Sequence, residues 1–253
     1  RSCETTCPSG VDYGRLADIG RKIVEDEVGR SVTEKLIRKA LIFVIPNRPL
    51  FGILMRFGQL FRPLMPSAIR RKIPQRTSSS SWPQSTHTRK MLVLEACAQP
   101  SATPNVNASA ARVLDRLGIQ LIAAKEAGCC GAVAHHLSDH NRSYDAVTRN
   151  IDAWWPLIEQ GAEAIVITAS GCGVMVKEYG HLLAEDSQYA EKAQRVAELA
   201  KDLSEVLADE DLGGLRVREA STLVFHSPCT LQHGQKLNGL TEGVLRELGF
   251  DLK

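Results

Sequence analysis

Seven cysteines stand in the 253-residue chain, and five of them occupy one kind of place. Cys97 follows the apolar run MLVLEA, Cys129 and Cys130 follow IQLIAAKEAG, Cys172 follows AIVITASG, and Cys229 follows TLVFHSP. Each run has the length and composition of a buried strand. In an open parallel sheet the carboxyl ends of the strands line one edge, where ligands collect. Thiols gathered there would bind a soft metal or do redox chemistry. Gly128, Gly131, Gly171 and Gly173 would let the backbone approach a bulky inorganic core. Cys130-Gly131 is expected to open a helix, whose amino-terminal dipole would lower a thiol pKa. A free cysteine taken alone is most simply a small buried hydrophobe. An adjacent pair at a glycine-flanked strand exit, with three others placed alike, argues for a site.

Spacing decides which metal chemistry fits. Zinc sites favour close C-x2–4-C pairs, whereas 31 residues separate Cys97 from Cys129 and 41 separate Cys130 from Cys172. Those gaps match successive strand–helix units. At the other end, RSCETTCPSG gives Cys3-x3-Cys7-Pro8, the closing part of the bacterial run C-x2-C-x2-C-x3-C-P that ligates iron–sulfur cubanes. In two-cluster ferredoxins the fourth cysteine of the run serves the other cluster, so Cys3 and Cys7 are expected to serve different cubanes. An odd number of cysteines this sparse does not make a disulfide scaffold. A reduced, cytoplasmic compartment is expected.

The elements that must position these thiols fall in three stretches. Residues 1–75 read as helical, with Leu16, Ile19, Ile23 and Val24 near a 3.6-residue period and a capping box at Ser31 and Glu34. Residues 76–90 form a linker around the polar stretch TSSSSWPQSTHT. From 91 onward strands alternate with helices: strands at 91–96, 119–124, 164–168 and 222–226, helices at 107–117, 141–160, 174–183, 190–207 and 240–248. That texture predicts an α/β fold with a mostly parallel sheet. A duplication underlies it. VLDRLGIQL at 113–121 matches VLRELGFDL at 244–252, an offset of 131, and the strands ending at Cys97 and Cys229 pair at an offset of 132. The first repeat runs over 91–220 and the second over 221–253, where half of it would be missing. Arg1 in first place likewise reads as a piece of something longer.

Composition removes several functions. Thirty-one Lys and Arg against 29 Asp and Glu leave +2, and aromatic residues are 5%, so no nucleic-acid footprint exists. Residues 41–61, LIFVIPNRPLFGILMRFGQLF, are the most apolar stretch, but Pro46, Arg48 and Arg56 interrupt it and no bilayer-crossing run results. Two short amphipathic helices are expected there. The alternative is peripheral association with a membrane or a membrane-bound partner, because Arg56, Arg62, Arg70, Arg71 and Lys72 follow closely.

In RSCETTCPSGV, LEACAQP, KEAGCCGAV, NIDAWWPLIEQGAEAI, TASGCGVMVKEYG and HSPCTLQHGQKLNG, over essentially its whole length, the chain resembles the iron–sulfur subunits of glycolate oxidases (glycolate dehydrogenases). CCGAV belongs to the wider cysteine-rich CCG-domain family, shared with heterodisulfide reductase, lactate-utilisation and anaerobic glycerol-3-phosphate dehydrogenase subunits. The resemblance implies that residues 1–75 are the helical end of a two-cluster ferredoxin-type domain, with [4Fe–4S] ligands at Cys3 and Cys7, and that 91–253 is a CCG domain. It implies Cys97, Cys129, Cys130 and Cys172 as ligands of the first repeat and Cys229 as the opening ligand of the second. Where some members end a repeat with C-x-x-C, this chain has Met175 three residues after Cys172. That position then offers no fifth thiolate for a non-cubane cluster, while four thiolates still suit a [4Fe–4S] centre. The implied work is electron relay beside FAD-containing subunits that oxidise glycolate to glyoxylate, toward a respiratory-chain acceptor, at the inner face of the cell membrane. A sibling serving lactate, glycerol 3-phosphate or a heterodisulfide is the nearest alternative, and a structural zinc-binding interaction module is the alternative from another class.

No nucleophile–base pair or carboxylate dyad is apparent, so no catalytic residue is assigned. His136, His226 and His233 lie near cysteine loops and are most simply structural or surface histidines. Asp152 and Glu178 read as solvated helix residues, and Trp154-Trp155 as core packing rather than a partner contact. At most one complete cluster is expected on this stretch of chain.

Overall fold

The computed structural model describes residues 1–78, 80–217 and 221–253. Ser79 of the expected linker and residues 218–220 at the end of the first repeat lie outside the described residues. The first stretch is helical: α1 Ser2–Thr6, α2 Tyr13–Glu27, α3 Val32–Val44, α4 Arg48–Phe61 and α5 Ser67–Arg70. Side chains set their starts. Asp12 accepts the Arg15 amide, Ser31 and Glu34 make the reciprocal capping box, and Asn47 accepts the Leu50 amide just ahead of Pro49. The apolar stretch 41–61 is thus broken at 45–47 into two helices, as its proline and polar residues predict.

Between α5 and the sheet the chain runs without helix or strand, yet it is fastened. Trp82 packs on the sheet's core and donates its indole N–H to the Leu121 carbonyl at 3.3 Å, and His87 bonds Asp115 at 2.8 Å.

The α/β part follows as β1 Arg89–Val93, α6 Gln99–Ala102, α7 Asn105–Arg116, β2 Ile119–Ala123, α8 Ala132–His136, α9 His140–Glu159, β3 Ile165–Ile167, α10 Ser170–Lys177, α11 Tyr179–Leu182, α12 Ala190–Leu199, β4 Ala200–Asp202 and α13 Leu203–Ala208. The sheet is parallel throughout, in the order β2-β1-β3-β4. Both faces are covered, so β1 is apolar on both sides. Leu92 and Leu94 face Ile151, Trp154 and Val196, while Met91 and Val93 face Ala110, Leu114 and Val206.

Two expectations are corrected. The helix expected over 190–207 stops at Leu199, and Ala200–Asp202 becomes the fourth strand of the sheet. Asp202 then caps α13 in a second capping box, with Glu205 three residues on. A strand placed between two helices of the same apolar period is hidden to periodicity, and the D-x-x-E spacing was its visible signal. The strand expected over 222–226 shrinks to β5 Thr222–Leu223 and does not join the main sheet. It pairs in parallel with β6 Asp251–Leu252, across a π-helical turn at Thr230–Gly234 and α14 Leu240–Glu247. Val224, 84% exposed, has no partner layer to bury it there. The duplication is nevertheless visible as topology: β1 pairs with β2 in parallel, and β5 with β6 likewise.

Candidate metal centre

After β1 the chain moves outward to β2, then returns across β1 to β3. The crossing point lies between the carboxyl ends of β1 and β3, the kind of crevice where α/β sheets bind ligands. Cys97 leaves β1, Cys129 and Cys130 leave β2, and Cys172 lies in the first turn of α10 behind β3. Their thiols neighbour one another in a row, Cys97 beside Cys129, Cys129 beside Cys130 and Cys130 beside Cys172. Cys97, Cys129 and Cys130 are buried and Cys172 half-buried.

Crowding and burial act on these groups together. The adjoining Cys129 thiol, then burial, drives Cys97 far above the ordinary thiol range. The adjoining Cys130 thiol is the main cause that pushes Cys129 up to about 11. Cys130 is lowered by its Cys129 neighbour, but the Cys172 thiol together with burial outweighs it, and the net is upward. The depressed pKa expected from a helix start at Cys130-Gly131 is therefore overturned. Helix α8 has only five residues, and its dipole is too small against two neighbouring thiols and burial. Such a row is costly to ionise alone. A cationic centre would relieve that cost and release protons on binding.

Residues far away in sequence hold the row in place. Asn150, fully buried on α9, accepts the Gly128 amide at 2.8 Å, and its amide donates to the Cys129 carbonyl at 2.9 Å. Tyr179, equally buried, donates to the Cys130 carbonyl at 2.8 Å. Arg149 adds a bond to the Cys129 carbonyl at 3.1 Å. Ala96, immediately before Cys97, sits at φ 53°, a left-handed conformation uncommon for a residue with a side chain. Its carbonyl accepts from Arg48 Nε of α4 at 2.8 Å. Gln99 bonds both Asn107 and Thr168, which ties the Cys97 loop to the end of β3. Gly131 needs its freedom: φ is 91°, and an added Cβ would stand 3.3 Å from the Ser143 carbonyl. We expect Asn150→Ala to destabilise the protein by about 1–3 kcal/mol, the cost of leaving a buried amide without its acceptor. A urea melt with unchanged slope checks it, and a midpoint equal to wild type would contradict it.

The other three cysteines stay outside the row. Cys229 is exposed at the head of the π-helical turn, and Cys3 is exposed on α1. Both open onto a cavity of about 360 Å³ that Gly171 and His136 also line. Cys7 ends α1 in a turn where the amides of Val11 and Ser9 point at its sulfur and lower its pKa. Contacts bind this amino-terminal segment to the second repeat and α10: Thr5 to His233 at 2.8 Å, and Arg1 to Glu178 at 2.6 Å. Glu178 is thus an ion-pair partner rather than a freely solvated carboxylate. Asp152 is exposed and accepts from Tyr189 at 2.9 Å, and His226 is exposed.

One further group of side chains escaped the sequence reading. Ligand atoms of Asp18, His135 and His136 all lie within 4.8 Å of one another. Arg21 already pairs with the Asp18 carboxylate at 2.7 Å, and His135 bonds it at 3.2 Å, so the group ties α2 to α8. Among the described residues no three of the thiols approach so closely. Tetrahedral zinc, with Zn–S near 2.3 Å, would bring four sulfurs within about 4 Å of each other. The thiols form a row wider than that.

An open parallel α/β sheet with thiols aligned on its carboxyl rim presents a donor set suited to a soft metal. Residues 91–177 match the family model of the cysteine-rich domain, CCG. The whole chain is 53% identical over 253 residues to the glycolate oxidase iron-sulfur subunit of Escherichia coli K12, covering 62% of that relative. It is 26% identical over 262 residues to the probable glycolate oxidase iron-sulfur subunit of Bacillus subtilis 168, a match that takes in 92% of this chain and 58% of the relative. Lactate utilization protein A of Bacillus licheniformis is 30% identical over 148 residues, 57% of this chain and 58% of the relative. The chain thus spans about three fifths of the length of these curated relatives.

Proposed function

We propose that the chain is an iron–sulfur, electron-transferring part of a glycolate-oxidising dehydrogenase. The observation that carries this reading is the row of four thiols, three of them buried, at the β1/β3 crossing. Cys97, Cys129, Cys130 and Cys172 would hold a [4Fe–4S] centre, whose chemistry when bound is to accept and release one electron at a time. Cys3 and Cys7 would serve ferredoxin-type centres, and Cys229 a second-repeat site. The chain's own residues do the positioning. Asn150, Arg149 and Tyr179 fix the two carbonyls of the Cys129-Cys130 pair, and burial of three of the thiols keeps water away. The flavin chemistry that removes hydrogen from glycolate belongs, in this reading, to an FAD-containing partner subunit, with a respiratory-chain acceptor downstream.

The match over the whole of this chain to the glycolate oxidase iron-sulfur subunit supports glycolate over lactate, because the lactate utilization relative matches only 57% of the chain. Anaerobic reconstitution with iron and sulfide tests the metal. The expected product is brown, with iron and acid-labile sulfide in equal amounts and an electron paramagnetic resonance signal on reduction. Zinc bound without sulfide would overturn the reading in favour of a structural zinc module.

A further inference from the structure

The second repeat takes hold of the first at the start of α10, where Cys172 lies. The π-helical turn Thr230–Gly234, directly after Cys229, packs against this helix. The Gln235 amide closes the turn by donating to the Thr230 carbonyl at 2.9 Å. Single π turns of this kind collect at functional sites.

The Gln235 side chain reaches back to α10. Its Nε2 donates to the Ser170 carbonyl at 3.3 Å and to the Asp202 carboxylate at 3.4 Å. Both neighbours are oxygens, so only the nitrogen of the amide can turn toward them. On the other side of Cys172, a Cβ added to Gly173 would stand 2.6 Å from the same Nε2. The space that Gly173 leaves open is therefore taken by Gln235 rather than by an inorganic core. Ser170 also meets Thr230, hydroxyl to hydroxyl, at 2.7 Å. Residues 170 and 173, which bracket Cys172, thus both rest on the second repeat.

Gln235 is only 8% exposed, and its Oε1 has no partner among the described residues. A side chain kept there for packing alone would be apolar, because an unpaired buried oxygen is a cost. The loops of Cys97, Cys129 and Cys130 are held by Arg48, Gln99, Asn150 and Tyr179, all outside the second repeat. Cys172 differs: it is the half-buried thiol of the row.

We infer that Gln235 is a positioning residue for Cys172, so that the second repeat sets where the fourth thiol of the first repeat stands. The inference deepens the reading of the row as a metal centre and rests on it. A residue that orients a ligand from behind tunes what the ligand holds.

Alkylation of the iron-free, reduced protein with iodoacetamide, read thiol by thiol by mass spectrometry, tests this. Gln235→Leu nearly keeps the volume and removes the donor. Cys172 should then react about tenfold faster than in wild type, the scale of one lost hydrogen bond, with Cys97, Cys129 and Cys130 unchanged. Gly173→Ala suits a helix but should push the Gln235 amide aside and speed Cys172 alike. Should Gln235→Leu fail to fold, Gly173→Ala decides alone. After reconstitution with iron and sulfide, the resonance spectrum of the reduced variant should differ from that of wild type. Wild-type reactivity of Cys172, equal acceleration of all four thiols, or an unchanged spectrum would each overturn the inference. The alkylation rates need no metal. Zinc bound without sulfide would therefore end the iron–sulfur reading and leave the hold of Gln235 on Cys172 to be decided by those rates.

Discussion

Serine in place of Cys130 should strip iron and sulfide from the sheet rim while the protein stays folded. Cys130 is the third thiol of the row, 2% exposed, with a thiol neighbour on each side. A hydroxyl has nearly the same volume but is a hard, reluctant donor, so a soft thiolate site loses an indispensable ligand without a packing defect. The expected loss is the whole iron and sulfide complement of that centre, with its resonance signal. Cys229→Ser is the control, because Cys229 is exposed and outside the row. It should leave the content of this centre unchanged. Equal iron and sulfide in Cys130→Ser and wild-type protein would remove Cys130 from the centre.

The second large effect belongs to the core. Trp154→Ala should cost about 3–5 kcal/mol, near the upper end for a single substitution. Trp154 is fully buried on α9, in the same cluster as Val147, Ile151, Ile165 and Val196. Its indole N–H has no partner, so the loss is packing and cavity rather than a hydrogen bond. Trp155 offers the contrast. Half-buried, it donates to Glu159 at 2.9 Å and lies under the Lys192 ammonium, so Trp155→Ala should cost about 1 kcal/mol. Denaturant midpoints of the two variants separate the residues, and equal midpoints would contradict the assignment of Trp154 to the core.

Much of the arrangement was legible because its causes are local. The capping box at Ser31 and Glu34 and the apolar runs ahead of the cysteines each act through neighbours in sequence. A cysteine directly after a strand of a parallel sheet has no choice of edge, which is why Cys97, Cys129, Cys130 and Cys172 could be grouped before any coordinate. What could not be read depends on residues of ordinary type meeting from afar. Nothing in the sequence marks Asn150 as the residue that accepts the Gly128 amide, Tyr179 as the donor to Cys130, or Arg48 as the support beneath Ala96. Strand β4 hid inside a helical period, and only Asp202 and Glu205 betrayed it. Thiol ionisation was misjudged for a similar reason: a helix start is visible in sequence, whereas the sulfurs of Cys129 and Cys172 crowding Cys130 are visible only in space.

The fastened stretch between the helices and the sheet has a mechanical consequence. With Trp82 seated on the core and Arg48 gripping the loop of Cys97, α4 cannot swing as on a loose tether. Turning α4 would turn the crevice with it.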